Sequence, residues 1–254
     1  MKNSNLKNIF FAVTLLLLSS SRAFAHGEES SKSSNGLDLD KTQEMGHHAL
    51  VHPFLAHMGM PDGPGETSVR VNAIQQRLDG VAAGTYGFHI ETGIVDRLGL
   101  HLRNDGMSTR ANSELMLQYA LLRSKDGQSG LSFIGEWEFP TGATTETAQG
   151  LAGFSFAYVL APVLAINSTI HYSFREQMTE WEISFLAPLT EKIFPIIEAN
   201  GQMMKDGKSI SNTLFGLKFK VPNSHAIGVG YQIANTTARE FDSQLILQTE
   251  LNFE

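Results

Sequence analysis

The last stretch of the chain, residues 240–253, alternates between apolar and polar side chains with a period of two. One face is mainly apolar and carries Phe241, Ser243, Leu245, Leu247, Thr249, Leu251 and Phe253. The other is mainly polar and carries Asp242, Gln244, Ile246, Gln248, Glu250 and Asn252. A tilted strand of about 9–11 residues crosses a bilayer, and strands of soluble domains are usually shorter. The stretch therefore predicts the closing strand of a transmembrane β-barrel, with Phe253 in an interfacial aromatic girdle.

Eleven earlier segments alternate in the same way, beginning with residues 67–78, whose pattern is the weakest. The fold class predicted is all-β, a transmembrane antiparallel β-barrel of about 12 strands, an even number as bacterial single-chain barrels have. The connections support this prediction because they alternate in length. The shorter set comprises residues 95–97, 124–130, 161–163, 189–192 and 222–224, and the longer set includes residues 105–112, 140–149, 203–210 and 235–239. Short turns are typical of the periplasmic side.

The alternative is a soluble β-sandwich or a lipocalin-like barrel, in which the apolar faces point inward. Charges and glycines on the polar faces, and aromatic residues near strand ends, favour the membrane barrel with a wet lumen.

The first 25 residues have the pattern of a signal peptide and are not expected to belong to the fold. Lys2 and Lys7 precede an apolar run at 9–18, and a small-residue cleavage motif ends at Ala25. The barrel is assigned to residues 66–254, which places the protein in the outer membrane of a Gram-negative bacterium after cleavage near Ala25. The chain has no cysteine, and its net charge of −7 argues against nucleic acid as a partner.

Residues 26–65 have another character, and we predict a flexible, mostly disordered periplasmic segment that bears His and Met. Five of the nine histidines lie between residues 26 and 57. The candidate metal ligands are His47, His48, His52, His57, Met58 and Met60, together with Met45. Imidazole and thioether ligands suit copper, or another divalent metal; no other cofactor is expected. The alternatives are a plain tether, or a segment whose Phe54 and Leu55 pack near the barrel mouth.

Polar residues on the second and third strands form the second candidate site. An antiparallel hairpin turning at residues 95–97 pairs Glu91 with His101 and His89 with Arg103, all pointing into the lumen. Further inward candidates are Glu136, Glu138, Glu180 and Glu182, which we expect to face Lys218 and Lys220. These residues form either a constriction that selects solutes by charge or a network that only stabilises the barrel.

The sequence does not favour an enzyme. His171 and Ser173, two residues apart on one strand, come nearest to a base and nucleophile, but their alternation points them inward and no nucleophile elbow surrounds them.

The chain resembles bacterial outer-membrane β-barrels of the meta-pathway phenol-degradation and outer-membrane transporter family. The resemblance rests on the strand end at residues 138–142 and on residues 228–232 and 239–242, and its layout covers most of residues 84–253. It implies a transport-associated role and supplies no catalytic residue. Glu254, which follows the final aromatic residue, departs from the usual pattern.

The function predicted is the passage of small solutes, aromatic or hydrophobic compounds or metal-related cargo, with membrane lipid and solute as partners. The alternative is a barrel that only anchors a copper-binding or envelope-interaction segment at residues 26–65. The sequence leaves the oligomeric state open, and leaves open whether residues 26–65 enter the lumen.

Overall fold

A computed structural model describes residues 51–104, 112–125, 127–141, 147–160, 164–222 and 225–253. These residues form twelve strands, each antiparallel to its neighbours, and pairing of the first with the last closes a barrel. The strands are β1 Thr67–Leu78, β2 Val81–Val95, β3 Leu98–Asn104, β4 Asn112–Arg123, β5 Gly130–Pro140, β6 Gln149–Leu160, β7 Leu164–Ser173, β8 Met178–Leu186, β9 Ile193–Met203, β10 Ser209–Lys220, β11 Ala226–Ala234 and β12 Ser243–Phe253. The predicted fold class is confirmed, and β1 has the predicted bounds.

The barrel has apolar side chains outside and polar side chains inside, the reverse of a soluble domain. Leu117, Phe215 and Tyr231 are about half exposed, at 50%, 52% and 50%. Arg70 and Glu250 are among the fully buried residues. The pattern arises because successive side chains of a strand point to opposite faces. The closing strand follows it as predicted: Gln244, Gln248 and Glu250 are buried, and Leu245 and Phe253 are exposed.

Two details differ from the sequence prediction. The closing strand begins at Ser243 rather than at residue 240, so Phe241 precedes it and is buried instead of lying on the apolar outer face. The predicted register of the β2–β3 hairpin pairs Ile94 with Leu98. The structure pairs Val95 with Leu98 instead, because an irregularity between Gly93 and Val95 shifts the register by one residue. Beyond that point the predicted pairs Glu91–His101 and His89–Arg103 are confirmed.

The hairpin between β1 and β2 turns on Asp79 and Gly80, which both have positive φ, 48° and 79°. Two positive φ values in a two-residue loop match the right-handed twist of the flanking strands. We call the mouth of the barrel where β1 begins and β12 ends the terminal mouth. The turn between β1 and β2 lies at the opposite mouth.

Residues 51–63, the lumen segment, fold into the barrel interior without regular secondary structure. Val51 packs in an apolar cluster with Ala165 and Ala226, near the strand ends at the terminal mouth. The segment reaches the wall at mid-height near His57, whose amide donates to Glu182. It returns to the terminal mouth, where the Gly63 carbonyl lies against Gly93. The prediction of a flexible periplasmic segment therefore does not hold for this part of residues 26–65.

Several predictions fall outside the described residues: the signal peptide, the tether at residues 26–50 with Met45, His47 and His48, and Glu254. Within the residues that are described, no helix is long and apolar enough to span a membrane.

Candidate functional site

The backbone amides of the lumen segment donate to side chains of the barrel wall. Glu198 on β9 accepts from three consecutive amides, those of Phe54, Leu55 at 2.9 Å and Ala56 at 3.1 Å. The amide of Gly59 donates to Asn167 at 3.0 Å. Buried peptide groups need partners, and here wall carboxylates and amides replace the backbone pairing of a strand or helix.

The carbonyl groups of the same segment accept from wall donors. Lys218 donates to the carbonyl of His52 at 2.6 Å, and Arg70 donates to that of Pro53 at 2.9 Å. Gln248 donates to Phe54 at 2.8 Å. The segment is thus held along both edges, much as a protein holds a bound peptide.

A buried ion network anchors the first turn of the lumen segment. Lys218 and Glu250, both at 0% side-chain exposure, are 2.7 Å apart, and Nδ1 of His52 lies 2.9 Å from Glu250. Burial opposes protonation of His52, but Glu250 and Asp62 outweigh it and raise the pKa of His52 to about 10. The Glu250 carboxylate therefore pairs with both the protonated imidazole and Lys218.

Three imidazoles and a carboxylate meet at mid-height of the lumen. His57 comes from the lumen segment, while His89 and Glu91 come from β2 and His101 from β3. One ligand atom from each lies within 4.8 Å of those of the others, and all four residues are buried. The ring centroids of His57 lie 5.1 Å from His89 and 5.9 Å from His101. β2 and β3 together supply three of the four side chains, and the lumen segment supplies the fourth.

Two arginines border this cluster. Arg70 contacts the Glu91 carboxylate and donates to Nδ1 of His89 at 2.5 Å. Arg103 donates to Nε2 of His57 at 3.3 Å and lies 3.4 Å from Glu182. Burial, followed by the positive charge of Arg103, holds the pKa of His57 well below its usual range, so its imidazole is neutral.

The predicted acidic pairs do not face the predicted lysines. Lys218 is paired with Glu250, and Lys220 lies half-buried on the same strand. Glu136 and Glu180 instead flank His171, at 3.1 Å and 3.4 Å. The expectation that they oppose Lys218 is wrong because Glu180 on β8 is the direct cross-strand neighbour of His171 on β7, and Glu136 on β5 reaches the same imidazole.

The other two predicted glutamates have separate partners. Glu138 accepts from Asn112 at 2.7 Å and from Gln149 at 2.5 Å. Glu182 accepts from the amide of His57 and lies near Arg103. The ten predicted lumen residues therefore lie in several local networks rather than one ring.

The predicted metal ligands are also divided. His52 joins Asp62 and Glu91, whereas His57 joins His89, Glu91 and His101. Met60 packs against Ala120 and Ala157, and Met58 lines a cavity of about 20 Å³ beside Val51. The structure thus brings one of the predicted metal ligands, His57, together with His89, Glu91 and His101, which were predicted to line a constriction.

His171 and Ser173 do not form a base and nucleophile pair. His171 contacts the two glutamates described above, and the Ser173 hydroxyl donates to Gln149 at 2.6 Å. Both side chains are buried.

Sequence reasoning missed several wall residues that hold the lumen segment, among them Arg70, Gln118 and Glu198. Each lies at an inward position of a predicted strand, where a large polar side chain signals a buried partner, but the sequence did not indicate that the partner is residues 51–63.

No family model and no curated protein matches this chain, so membership of the phenol-degradation and transporter family remains a prediction. Solved structures with a similar fold include outer-membrane porins and channels. The KdgM porin in complex with disordered oligogalacturonate is 8% identical, with a TM-score of 0.57 over 74% of this chain and 98% of that one. The COG4313 outer membrane channel from Pseudomonas putida F1 is 9% identical, with a TM-score of 0.54 over 80% of this chain and 100% of that one. At these identities the similarity shows the fold alone.

Proposed function

We propose that this chain is a channel for small polar solutes in a bacterial outer membrane, closed in the present conformation by the lumen segment. The observation that carries the proposal is how that segment is held. Wall side chains bind its backbone, and it forms no strand of the barrel, so it can leave without breaking a strand pair. A polar lumen lined by Arg70, Glu198 and Glu250 would remain.

The size of the barrel is consistent with this proposal. Eight-stranded barrels are filled by their own side chains, and barrels of 16–18 strands leave an open aqueous channel. Twelve strands lie between these cases, so a peptide of moderate length is enough to close the lumen. The inner wall carries an apolar cluster that includes Ile74, Leu214 and Ile246, but its many buried charged side chains favour polar solutes over the aromatic cargo that the sequence allowed. KdgM, a porin with this fold, is described in complex with an oligogalacturonate.

The direct test is conductance across planar lipid bilayers. The mature protein is expected to show long closed periods, whereas a variant with residues 51–60 replaced by a glycine–serine linker should conduct steadily. Both proteins should show the heat-dependent gel migration of folded barrels. A folded variant that stays silent would contradict the channel proposal.

A single methyl group at Gly59 is expected to open the channel. A Cβ there would lie 2.1 Å from the carbonyl oxygen of Phe156, which belongs to the wall backbone and cannot turn aside. Gly59→Ala should therefore raise the fraction of time spent open in single-channel recordings. The matched control is Gly135→Ala, where an added Cβ meets only Phe133 at 4.0 Å. Equal open fractions in the two variants would mean that Gly59 does not seat the segment.

The outer-membrane location is supported by the apolar outer face, and it can be tested on β4. Leu117 is 50% exposed near the middle of this strand, and Leu122 is 64% exposed near its end. Leu117→Arg should lower the free energy of unfolding in lipid by about 2–4 kcal/mol, and Leu122→Arg by about 0–1 kcal/mol, because the cost of a charge falls towards the interface. Urea titration in liposomes measures both. Equal costs for the two variants would argue against a lipid-facing belt.

A further inference from the structure

We propose that His57, His89, Glu91 and His101 form a binding site for a divalent transition-metal ion of the zinc class. The site joins the lumen segment, through His57, to strands β2 and β3 of the wall. It is independent of the channel proposal, since metal binding is measured without reference to conductance.

The ligand set and its spacing suit zinc. Histidine nitrogens and a carboxylate oxygen are ordinary zinc ligands at about 2.0–2.2 Å, and in a tetrahedral site they lie about 3.3 Å from one another. The four candidate atoms already lie within 4.8 Å of one another. Small side-chain rotations would bring them to bonding distance, with no movement of the barrel backbone.

The hydrogen bonding of His101 is the strongest support for a cation site. Nε2 of His101 lies 3.0 Å from Oε1 of Gln118. The amide nitrogen of Gln118 donates to the Met58 carbonyl at 3.0 Å and to Ser155, which fixes Oε1 as the acceptor facing His101. Nε2 therefore carries a proton, and Nδ1 is the ring nitrogen that faces the cluster.

Nδ1 of His101 faces a carboxylate rather than a hydrogen-bond donor. Nδ1 of His101 lies 3.6 Å from Oε1 of Glu91, and it has no hydrogen-bond partner among the residues that the structure describes. Two acceptors facing each other in a buried site repel unless a proton or a cation lies between them. Metal-bound histidines commonly donate their other ring N–H to an oxygen acceptor, as His101 does to Gln118.

His57 supplies a second unpartnered nitrogen. Its Nδ1 is buried without a hydrogen-bond partner in the described part of the chain. Coordination through Nδ1 would move the proton to Nε2, where Arg103 now donates. Arg103 has other acceptors, with Glu182 at 3.4 Å and Glu114 at 3.9 Å, so it can release His57 without becoming unpaired.

Arg70 is the competing cation, since it contacts Glu91 and His89 in the present conformation. It also donates to the carbonyls of Pro53 at 2.9 Å and Ala56 at 3.4 Å. These two acceptors would keep the guanidinium bound to the lumen segment when a metal ion takes the carboxylate.

The charges around the cluster sum to a net negative charge, which attracts a cation. Ion pairs traced outward from the cluster include three fixed cations, Arg70, Arg103 and Lys218. The same ion pairs include five carboxylates, those of Asp62, Glu91, Glu114, Glu182 and Glu250. With His52 protonated, five carboxylates face four cations, an excess of one negative charge before any ion binds.

A second group, His52, Asp62 and Glu91, has the spacing of a metal site but is a weaker candidate. His52 is already satisfied by Glu250 at 2.9 Å, and the group shares Glu91 with the first. We therefore assign the ion to the cluster that contains two unpartnered imidazole nitrogens.

The test is zinc binding by the full mature chain, stripped with chelator and refolded in detergent. His26, His47 and His48 are replaced by asparagine throughout, so that the tail contributes no ligands. Competition with a chromogenic chelator measures affinity, and elemental analysis measures stoichiometry. We expect one tightly bound zinc ion per chain. A parent protein that binds none would overturn the proposal.

Two variants locate the ion, and one serves as the control. His101→Asn and Glu91→Gln should each weaken zinc binding by about 100-fold or more, since even outer partners of metal ligands are worth about 10–100-fold. His225→Asn, at a histidine near the terminal mouth that accepts from the Asn252 amide, should leave affinity unchanged. Gel migration reports folding of each variant, and tetrahedral Co²⁺ absorption in the parent gives an independent readout. Undiminished zinc binding by folded His101→Asn and Glu91→Gln, or parental Co²⁺ spectra in both, would overturn the assignment.

Discussion

Replacing Glu250 with leucine is expected to lower the free energy of unfolding by about 3–5 kcal/mol, the usual cost of leaving a buried charge unpaired. Glu250 is the carboxylate partner of Lys218 at 2.7 Å, and both side chains are at 0% exposure. His52 loses the same partner. The lumen segment and the wall should therefore both be destabilised.

Urea unfolding in detergent measures the loss, and the double variant Lys218→Met, Glu250→Leu is the matched comparison. Apolar replacement of both members removes the unpaired charge, and such replacements are often neutral or stabilising. The double variant should recover most of the stability lost in Glu250→Leu. If it is as unstable as the single variant, the cost comes from lost packing or from His52 rather than from Lys218.

Phe54→Ala is expected to weaken the seating of the lumen segment by about 3–5 kcal/mol, the usual cost of truncating a buried phenylalanine. Phe54 is 1% exposed, and its ring fills the space left by two wall glycines. A Cβ on Gly216 would lie 2.3 Å from the ring, and one on Gly228 would lie 2.7 Å from it. Lys218 lies over the same ring, 5.1 Å from its centroid.

The chain has no cysteine, so a single reporter at buried Ala56, introduced as Ala56→Cys, can follow exposure of the segment by maleimide labelling. Phe54→Ala should speed labelling by about 100-fold or more, since each 1.4 kcal/mol is tenfold in an equilibrium. Gly216→Val should do the same from the wall side. Combined with Phe54→Ala, Gly216→Val refills the vacated space, so the double variant should label more slowly than either single variant; additive effects would contradict direct packing.

The strands and their faces could be predicted from the sequence because alternation is local: each residue of a strand fixes the face of the next. The same rule, applied to one hairpin, correctly paired Glu91 with His101 and His89 with Arg103. The same rule would have found the partner of Glu180, because His171 is its direct cross-strand neighbour in the hairpin of β7 and β8. Glu136 lies two strands away on β5, so its height relative to His171 depends on two further connections.

The lumen segment could not be predicted in this way. Residues 51–63 have no periodicity, and their burial depends on wall residues far along the chain, such as Glu198 and Lys218. Signals were nevertheless present. Gly216 and Gly228 lie at inward positions of β10 and β11, where a side chain would have overlapped the Phe54 ring. Alternation gives the direction of a side chain, but not what fills the space in front of it.

The register of the closing strand pair has a consequence for the order of folding. Arg70 on β1 is the direct cross-strand neighbour of Glu250 on β12, and both bind the lumen segment, through Pro53 and His52. The His52–Glu250 contact joins residues 198 apart in sequence, and contacts between such distant residues form slowly. The anchoring of the lumen segment to both Arg70 and Glu250 is therefore expected in a late step, when β1 pairs with β12 or after it.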